Sequence, residues 1–198
     1  MNTLRRQKKS AFTLVELLMV IAVLTLLMTF AMVGMGDGGR SQQLTVSGNR
    51  VADLVNLARH TAKTRNSMSM LIVVTKGNQA YRAMTILEKP LEGSSWKQVS
   101  PWEVLPDGIG VSAGKSATFL TQPVAALSPA PPSLSFRGAA LNAADYAWQV
   151  FLPNGRLLSD QSSPPILYLS SVVNAGNAPN YYSITINANT GIPIIRRP

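Results

Sequence analysis

The stretch of sequence that decides the fold is RRQKKSAFTLVELLMVIAVLTLLMTFAMVGM, residues 5–35. It begins with a basic segment, residues 5–9, and continues as an almost uninterrupted apolar run over residues 12–35. A helix needs about 20 predominantly apolar residues to cross a bilayer, so the apolar run is predicted to span a membrane. Because basic residues favour the cytoplasmic side, the chain beyond the run is expected on the opposite side.

One acidic residue, Glu16, interrupts this pattern near the start of the apolar run. A carboxylate at the centre of a spanning helix costs about 2.5 to 3.5 kcal/mol, and less near an end, so it usually has a partner. No Lys, Arg or His occurs within residues 12–35. The partner of Glu16 must therefore come from the basic segment, from another chain or from an amine created by processing.

Residues 10–18, SAFTLVELL, resemble the processing site of type IV prepilins and type II secretion pseudopilins. The resemblance implies that a prepilin peptidase cuts between Ala11 and Phe12 and that the new amine of Phe12 is N-methylated. It also implies that the carboxylate of Glu16 neutralises the Phe12 amine of a neighbouring subunit, which would set the register of a filament. This chain has Ala11 where the family usually has glycine.

Two other interpretations fit the same charge and hydropathy: a secretory signal peptide cleaved near Ala31, and a signal anchor that is never cleaved. Neither explains Glu16. The apolar run is also longer than the roughly 7 to 15 residues of a signal-peptide core. The residue at which the mature chain begins distinguishes the three interpretations.

The rest of the sequence predicts an α+β fold, with a long N-terminal helical spine packed on a small antiparallel β-sheet or sandwich. The expected divisions are a leader at 1–11, a transmembrane or filament-core helix at 12–35, a hinge and amphipathic helix at 36–66, and a periplasmic β head at 67–198. Four glycines between residues 34 and 39 predict a bend or a melted turn, because glycine weakens helices. The apolar face of the amphipathic helix repeats at helical spacing and consists of Val51, Leu54, Val55, Ala58 and Ala62.

Short apolar and β-branched segments follow the helix, separated by turn residues. Residues 68–75 and 79–87 are predicted to pair as a hairpin across a turn at 76–78. The later predicted strands are 102–105, 110–112, 117–120, 133–136, 146–151, 166–170 and 181–186. The proline-rich segment 122–132 is predicted to be an exposed loop.

Three later stretches add to the resemblance: residues 58–66, ARHTAKTRN; residues 151–156, FLPNGR; and the closing hairpin at 184–195 with its Thr-Gly turn. In this order they are similar to minor pseudopilins of the H type and to the related FimT-like minor pilins. The Verru_Chthon cassette protein D group of pilin-like proteins has the same general build.

The composition offers little for catalysis. The chain has no cysteine and one histidine, His60, which has no second ligand at helical spacing, so we expect no metal site and no cofactor. Paired catalytic carboxylates, a nucleophile elbow and a phosphate-binding loop are also missing from the sequence, so no catalytic residues are expected and the protein is not predicted to be an enzyme.

The sequence therefore predicts a structural subunit of a type II secretion system or type IV pilus in the bacterial inner membrane, with its head in the periplasm. Its expected partners are the inner membrane, a prepilin peptidase, other pseudopilins or minor pilins, and the assembly platform. The alternatives are a FimT-like minor pilin that binds DNA through Arg196 and Arg197, and a signal-anchored periplasmic domain. Removal of the four basic residues of the leader would lower the net charge from +9 to +5, so the mature protein is expected to be only moderately basic, and nucleic acid is a partner of the FimT-like alternative alone.

Overall fold

The structure is a computed structural model that describes residues 13–121, 131–158, 163–171 and 180–197, with the backbone alone for residues 30–38. The chain divides into two compact units, residues 1–40 and 41–198. Helix α1, Leu14–Thr64, contributes to both units. All of the described β structure belongs to the second unit.

In the first unit, the described residues after Thr13 are helical. The helix continues through residues 34–39, so the melted turn predicted from the glycines is wrong: the helical backbone hydrogen bonding outweighs the glycine penalty there. The sequence predicts a membrane span at 12–35, whereas among the residues that the structure describes no helix is both long and apolar enough to cross a membrane. Helix α1 ends at Thr64, close to the predicted end near Asn66.

The second unit adds short strands, a short helix and a 3-10 turn to the last part of α1. The described strands are β1 Ser67–Val74, β2 Ala83–Pro90, β3 Lys97–Gln98, β4 Glu103–Val104, β5 Ile109–Val111, β6 Leu134–Phe136, β7 Ala139–Leu141, β8 Tyr146–Phe151, β9 Ile166–Ser171, β10 Tyr181–Ile186 and β11 Pro193–Arg196. Helix α2 covers Ala117–Leu120, and the 3-10 turn covers Ala143–Asp145.

The strands form two sheets and a separate hairpin, and all described pairings are antiparallel. The first sheet has the order β3-β2-β1-β8, with β4 also paired to β2, and the second has the order β11-β10-β9-β5. Strands β6 and β7 pair with each other. The predicted α+β architecture is confirmed.

Several predicted elements need correction. The segment 117–120 was predicted as a strand but forms α2, because a four-residue apolar run carries no readable periodicity. The first hairpin turn is longer than predicted, because β1 ends at Val74 and β2 begins at Ala83. The N–H of Tyr81 closes this turn by donating to the carbonyl of Val74 at 2.6 Å. Strands β3 and β7 were not predicted. Most of the predicted loop at 122–132 lies outside the described residues.

The second unit has two apolar cores. In the first, the predicted face of α1 packs among the inner faces of both sheets, with Val51, Val55, Ala58 and Ala62 fully buried. In the second, the opposite face of β1 and β8 packs against the β6–β7 hairpin. Strand β1 is buried on both faces, which explains its continuous apolar sequence.

Candidate functional site

The start of α1 holds the part of the predicted processing site that the structure describes. Ala11 and Phe12 lie outside the described residues, and Glu16 lies in the first helical turn. The backbone N–H of Thr13 donates to Oε2 of Glu16 at 3.3 Å, and the N–H of Glu16 donates to Oγ1 of Thr13 at 3.3 Å. The Thr13 hydroxyl also donates to Oε2 at 3.3 Å.

These reciprocal bonds form a capping box, in which the side chains of Thr13 and Glu16 satisfy backbone donors that the helix start leaves unpaired. A carboxylate at this position also interacts favourably with the positive end of the helix dipole. The sequence analysis missed this partner because it searched for cations, although Thr-x-x-Glu before an apolar run is a recognised signature of a capping box. Glu16 is thus already hydrogen-bonded within its own chain.

From Leu14 to Met28, helix α1 exposes large apolar side chains around its whole circumference. Between Leu14 and Met28 the exposed large hydrophobic residues are Leu14, Val15, Leu17, Leu18, Met19, Val20, Ile21, Val23, Leu24, Leu26, Leu27 and Met28. Their exposed fractions range from 49% for Ile21 to 77% for Leu14. A helix that is hydrophobic all round is stable in water only when other apolar groups cover it.

The predicted DNA-contact residues at the C-terminus have different environments. Arg197 is hydrogen-bonded to α1: its guanidinium donates to Oγ1 of Thr45, to Oγ of Ser41 at 2.5 Å and to the Ser41 carbonyl at 3.2 Å. Arg196 lies in β11 and is exposed, and its carbonyl accepts a bond from the Ser183 hydroxyl at 3.4 Å. The two arginines therefore do not act as one free basic tail, because Arg197 attaches the last strand to the helix.

The three stretches that carry the later resemblance meet at one place, which we call the glycine contact: Arg59, Lys63, Gly155, Thr190 and Gly191. Nε of Arg59 on α1 donates to the carbonyl of Thr190 at 2.7 Å. Gly155 and Gly191 both have positive φ, +82° and +66°. A Cβ on Gly191 would lie 2.1 Å from the Gly155 carbonyl oxygen, and one on Gly155 would lie 2.8 Å from Cδ of Lys63. At Gly191 the blocking atom is backbone, so only glycine fits there; at Gly155 the Lys63 side chain can move, and the positive φ is what favours glycine.

The glycine contact also gathers basic side chains on one surface. Arg59 and Lys63 come from α1, and Arg156 follows Gly155 and donates to Oδ1 of Asn189 at 3.0 Å. Within the part of the chain that the structure describes, none of these three cations forms an ion pair with a carboxylate. We call these residues the basic patch. The sequence analysis did not assign it, because the contributing residues are far apart in the chain.

Comparison with known proteins identifies a family motif and several similar solved structures. Residues 6–32 match the family described as the prokaryotic N-terminal methylation motif, which confirms the resemblance of the N-terminus to prepilins. No curated protein matches the sequence.

The solved structures that match this chain include two of the minor pseudopilin EpsH from the type 2 secretion system of Vibrio cholerae. The first has 11% identity, covers 79% of this chain and 96% of that one, and has a TM-score of 0.43; the second has 12% identity, covers 79% and 94%, and has a TM-score of 0.46. The type IV minor pilin FimU of Pseudomonas aeruginosa strain PAO1 has 10% identity, covers 79% and 89%, and has a TM-score of 0.46.

Proposed function

We propose that the protein is a minor pseudopilin or pilin-like structural subunit without enzymatic activity. A prepilin peptidase would cut it before Phe12, and it would then assemble into a periplasmic filament of a type II secretion system or type IV pilus. The observation that carries this proposal is the N-terminal methylation motif at residues 6–32, in which the helix begins with a capping box at Thr13 and Glu16.

The apolar start of α1 supports an anchoring role. Its exposed side chains need apolar surroundings, and a bilayer before assembly and packed neighbouring helices afterwards would both provide them. The basic segment at 5–9 would remain cytoplasmic, and the second unit would face the periplasm. In this proposal, the inner membrane, the peptidase, the assembly platform and other pilin subunits are the partners.

The capping box is compatible with the register role proposed for Glu16. The described hydrogen bonds engage Oε2, whereas Oε1 accepts none from the residues that the structure describes. One oxygen can thus hold the helix start while the other receives the methylated amine of Phe12 from a neighbouring subunit. Satisfying both charges together would lower the cost of burying them between apolar helices.

The test is expression of the full chain with a prepilin peptidase and an assembly platform, followed by intact mass and N-terminal sequencing. We expect a chain that begins at Phe12 and carries one methyl group. Glu16→Ala should still be cut but should be absent from sheared filaments. Thr13→Val is the matched control, because it removes the capping hydroxyl and keeps the carboxylate, so it should still assemble.

A start at Met1 or near Ala31 would contradict the proposal and would favour a signal-anchored domain or a secreted domain instead. Normal amounts of Glu16→Ala in filaments would refute the register role alone. The two parts of the proposal can therefore fail separately.

The basic patch supports a second candidate function, DNA binding during uptake. None of its three cations has a carboxylate partner among the described residues, so they could contact phosphates together, although Arg59 and Arg156 each also donate a hydrogen bond within the chain. A gel-shift titration of the full chain should then lose affinity with salt, at about 0.9 log units per log unit of salt for each phosphate contact. Triple replacement of Arg59, Lys63 and Arg156 by Gln should reduce this slope. The absence of any shift at low salt would exclude this function.

A further inference from the structure

A cavity of about 420 Å³ lies between the β1–β2 turn and the tip of the β6–β7 hairpin. We call it the hairpin cleft. Its apolar lining includes Val74, Phe136 and Leu141, and its polar lining includes Lys76, Gln79 and Arg137. Val74, Phe136 and Leu141 are buried, whereas Lys76 and Arg137 are exposed, so the cleft has an apolar floor and a polar rim.

Hydrogen bonds and ring contacts hold the walls of the hairpin cleft in place. On one side, the N–H groups of Thr75 and Lys76 donate to the Asp145 carbonyl at 2.8 and 3.2 Å. On the other, Nε1 of Trp102 donates to the Ser135 carbonyl at 3.1 Å, and its ring lies 4.8 Å from the ring of Phe136. The cleft is therefore a formed feature, as binding pockets usually are.

Two polar groups at the cleft have no partner of opposite character among the described residues, and one of them, Arg137, is exposed. Oε1 of Gln79 is buried, and no donor among the residues that the structure describes bonds to it. Because this atom is enclosed by the protein, a ligand in the cleft cannot reach it, and the exposed side chains at the rim provide the polar contacts. The guanidinium of Arg137 lies 5.5 Å from the centre of the Phe136 ring and forms no ion pair within the described residues.

The charge at the rim limits the choice of ligand. Nζ of Lys76 lies 3.3 Å from Oδ1 of Asp145, so this cation is already neutralised within the chain. The N–H of Asn142 donates to the Asp145 carboxylate at 2.9 Å, and this bond together with Lys76 lowers the pKa of Asp145. One uncompensated cation, Arg137, remains at the rim among the described residues. It matches a single carboxylate better than a polyanion.

We propose that the hairpin cleft binds the C-terminal residue of a peptide chain. Such a residue offers an apolar side chain for the floor and one carboxylate for Arg137, and both fit one residue because the guanidinium lies 5.5 Å from the centre of the Phe136 ring. An inorganic anion would leave the apolar floor unused, and an internal apolar residue would bring no carboxylate. This inference goes beyond the proposed function and depends on neither processing nor assembly.

The test is a calorimetric titration of the purified full chain, in mild detergent, with N-acetylated dipeptides ending in leucine. The free acid should bind with saturation. The matching carboxamide should bind at least about tenfold more weakly, because it lacks the charge that Arg137 would bind. A third probe, acetyl-glutamyl-leucinamide, moves the carboxylate to a side chain and should also bind weakly.

Variants locate the site. Arg137→Gly should weaken binding of the acid about tenfold without disturbing the fold, because Arg137 has a φ of +49° that glycine adopts more readily. Arg137→Lys should retain part of the affinity, and Ala139→Phe should abolish binding by filling the cleft. Arg156→Gln, in the basic patch, is the matched control and should bind normally.

Four results would overturn the proposal: no saturable binding of the acid, equal binding of the acid and the carboxamide, equal binding of the acid and the glutamyl probe, or normal binding by Ala139→Phe. Equal binding of the glutamyl probe would show that the cleft recognises an internal acidic residue and would overturn the terminal-residue assignment.

Discussion

The glycine contact leads to a quantitative prediction for Gly191→Ala. In this structure, Gly191 has a φ of +66°, and an added Cβ would lie 2.1 Å from the carbonyl oxygen of Gly155 and 3.2 Å from Cδ of Arg59. The first of these neighbours is backbone and cannot rotate away. The substitution must therefore move the closing hairpin away from α1 or distort the loop at Gly155.

The cost of Gly191→Ala has two parts. A positive φ costs an L-residue about 1 kcal/mol. Moving the hairpin also breaks the bond from Arg59 to the Thr190 carbonyl, at 2.7 Å, and such charge-assisted bonds contribute about 1.5 to 3 kcal/mol. Together they predict a loss of about 2.5 to 4 kcal/mol in the free energy of unfolding, which is a large effect for a single methyl group.

Gly108→Ala is the matched control for this prediction. Gly108 has a φ of +83°, and an added Cβ would meet nothing within 4 Å, so only the conformational cost of about 1 kcal/mol applies. Urea denaturation followed by tryptophan fluorescence measures both variants, because all three tryptophans lie in the second unit. Equal losses in the two variants would refute the close approach of the hairpin to Gly155.

Three further predictions concern other contacts of the second unit. Gly48→Ala would place a Cβ within 2.5 Å of the Tyr182 ring. Although alanine is the better helix former, this substitution should lower the free energy of unfolding by about 1 to 3 kcal/mol in the urea titration. Burial raises the pKa of Tyr146 to about 12, so the unfolded state loses this proton at a lower pH than the folded state does. The free energy of unfolding should therefore fall as pH rises from about 10 to 12, by at most about 1.4 kcal/mol per pH unit. A flat profile in alkaline denaturation would contradict this. Arg197→Gln removes the bonds to α1 and should cost about 1 kcal/mol, whereas Arg196→Gln should change stability by less than about 0.5 kcal/mol.

The elements that the sequence predicted well are those marked by residues close together in the chain. Strands β8 and β10 have the predicted bounds, because alternating or continuous apolar residues between turn residues are sufficient to mark them. The buried face of α1 was predicted because its apolar residues repeat at helical spacing over several turns. Both signals depend only on neighbours along the chain.

The elements that sequence missed depend on partners distant in the chain. Strand β3 has two residues, Lys97 and Gln98, and exists because it pairs with β2. The β6–β7 hairpin turns at Arg137 and Gly138, both with positive φ, and arginine gives no signal for such a turn. The glycine contact joins residues separated by as many as 131 positions, as in the bond from Arg59 to Thr190. No local pattern encodes such a contact.

The start of α1 is an intermediate case, because the sequence contains the capping-box pattern Thr-x-x-Glu but a partner for Glu16 was sought only among cations. A carboxylate in an apolar run needs hydrogen-bond donors, and the first turn of any helix has unpaired backbone N–H groups that can supply them. Glu16 uses one such donor, the N–H of Thr13, at 3.3 Å. Its cost in an apolar environment is therefore lower than that of an isolated carboxylate. A subunit could therefore hold Glu16 beside apolar neighbours before any partner amine arrives. The amine of the neighbouring subunit would then bind a carboxylate that the Thr13 N–H already holds in place.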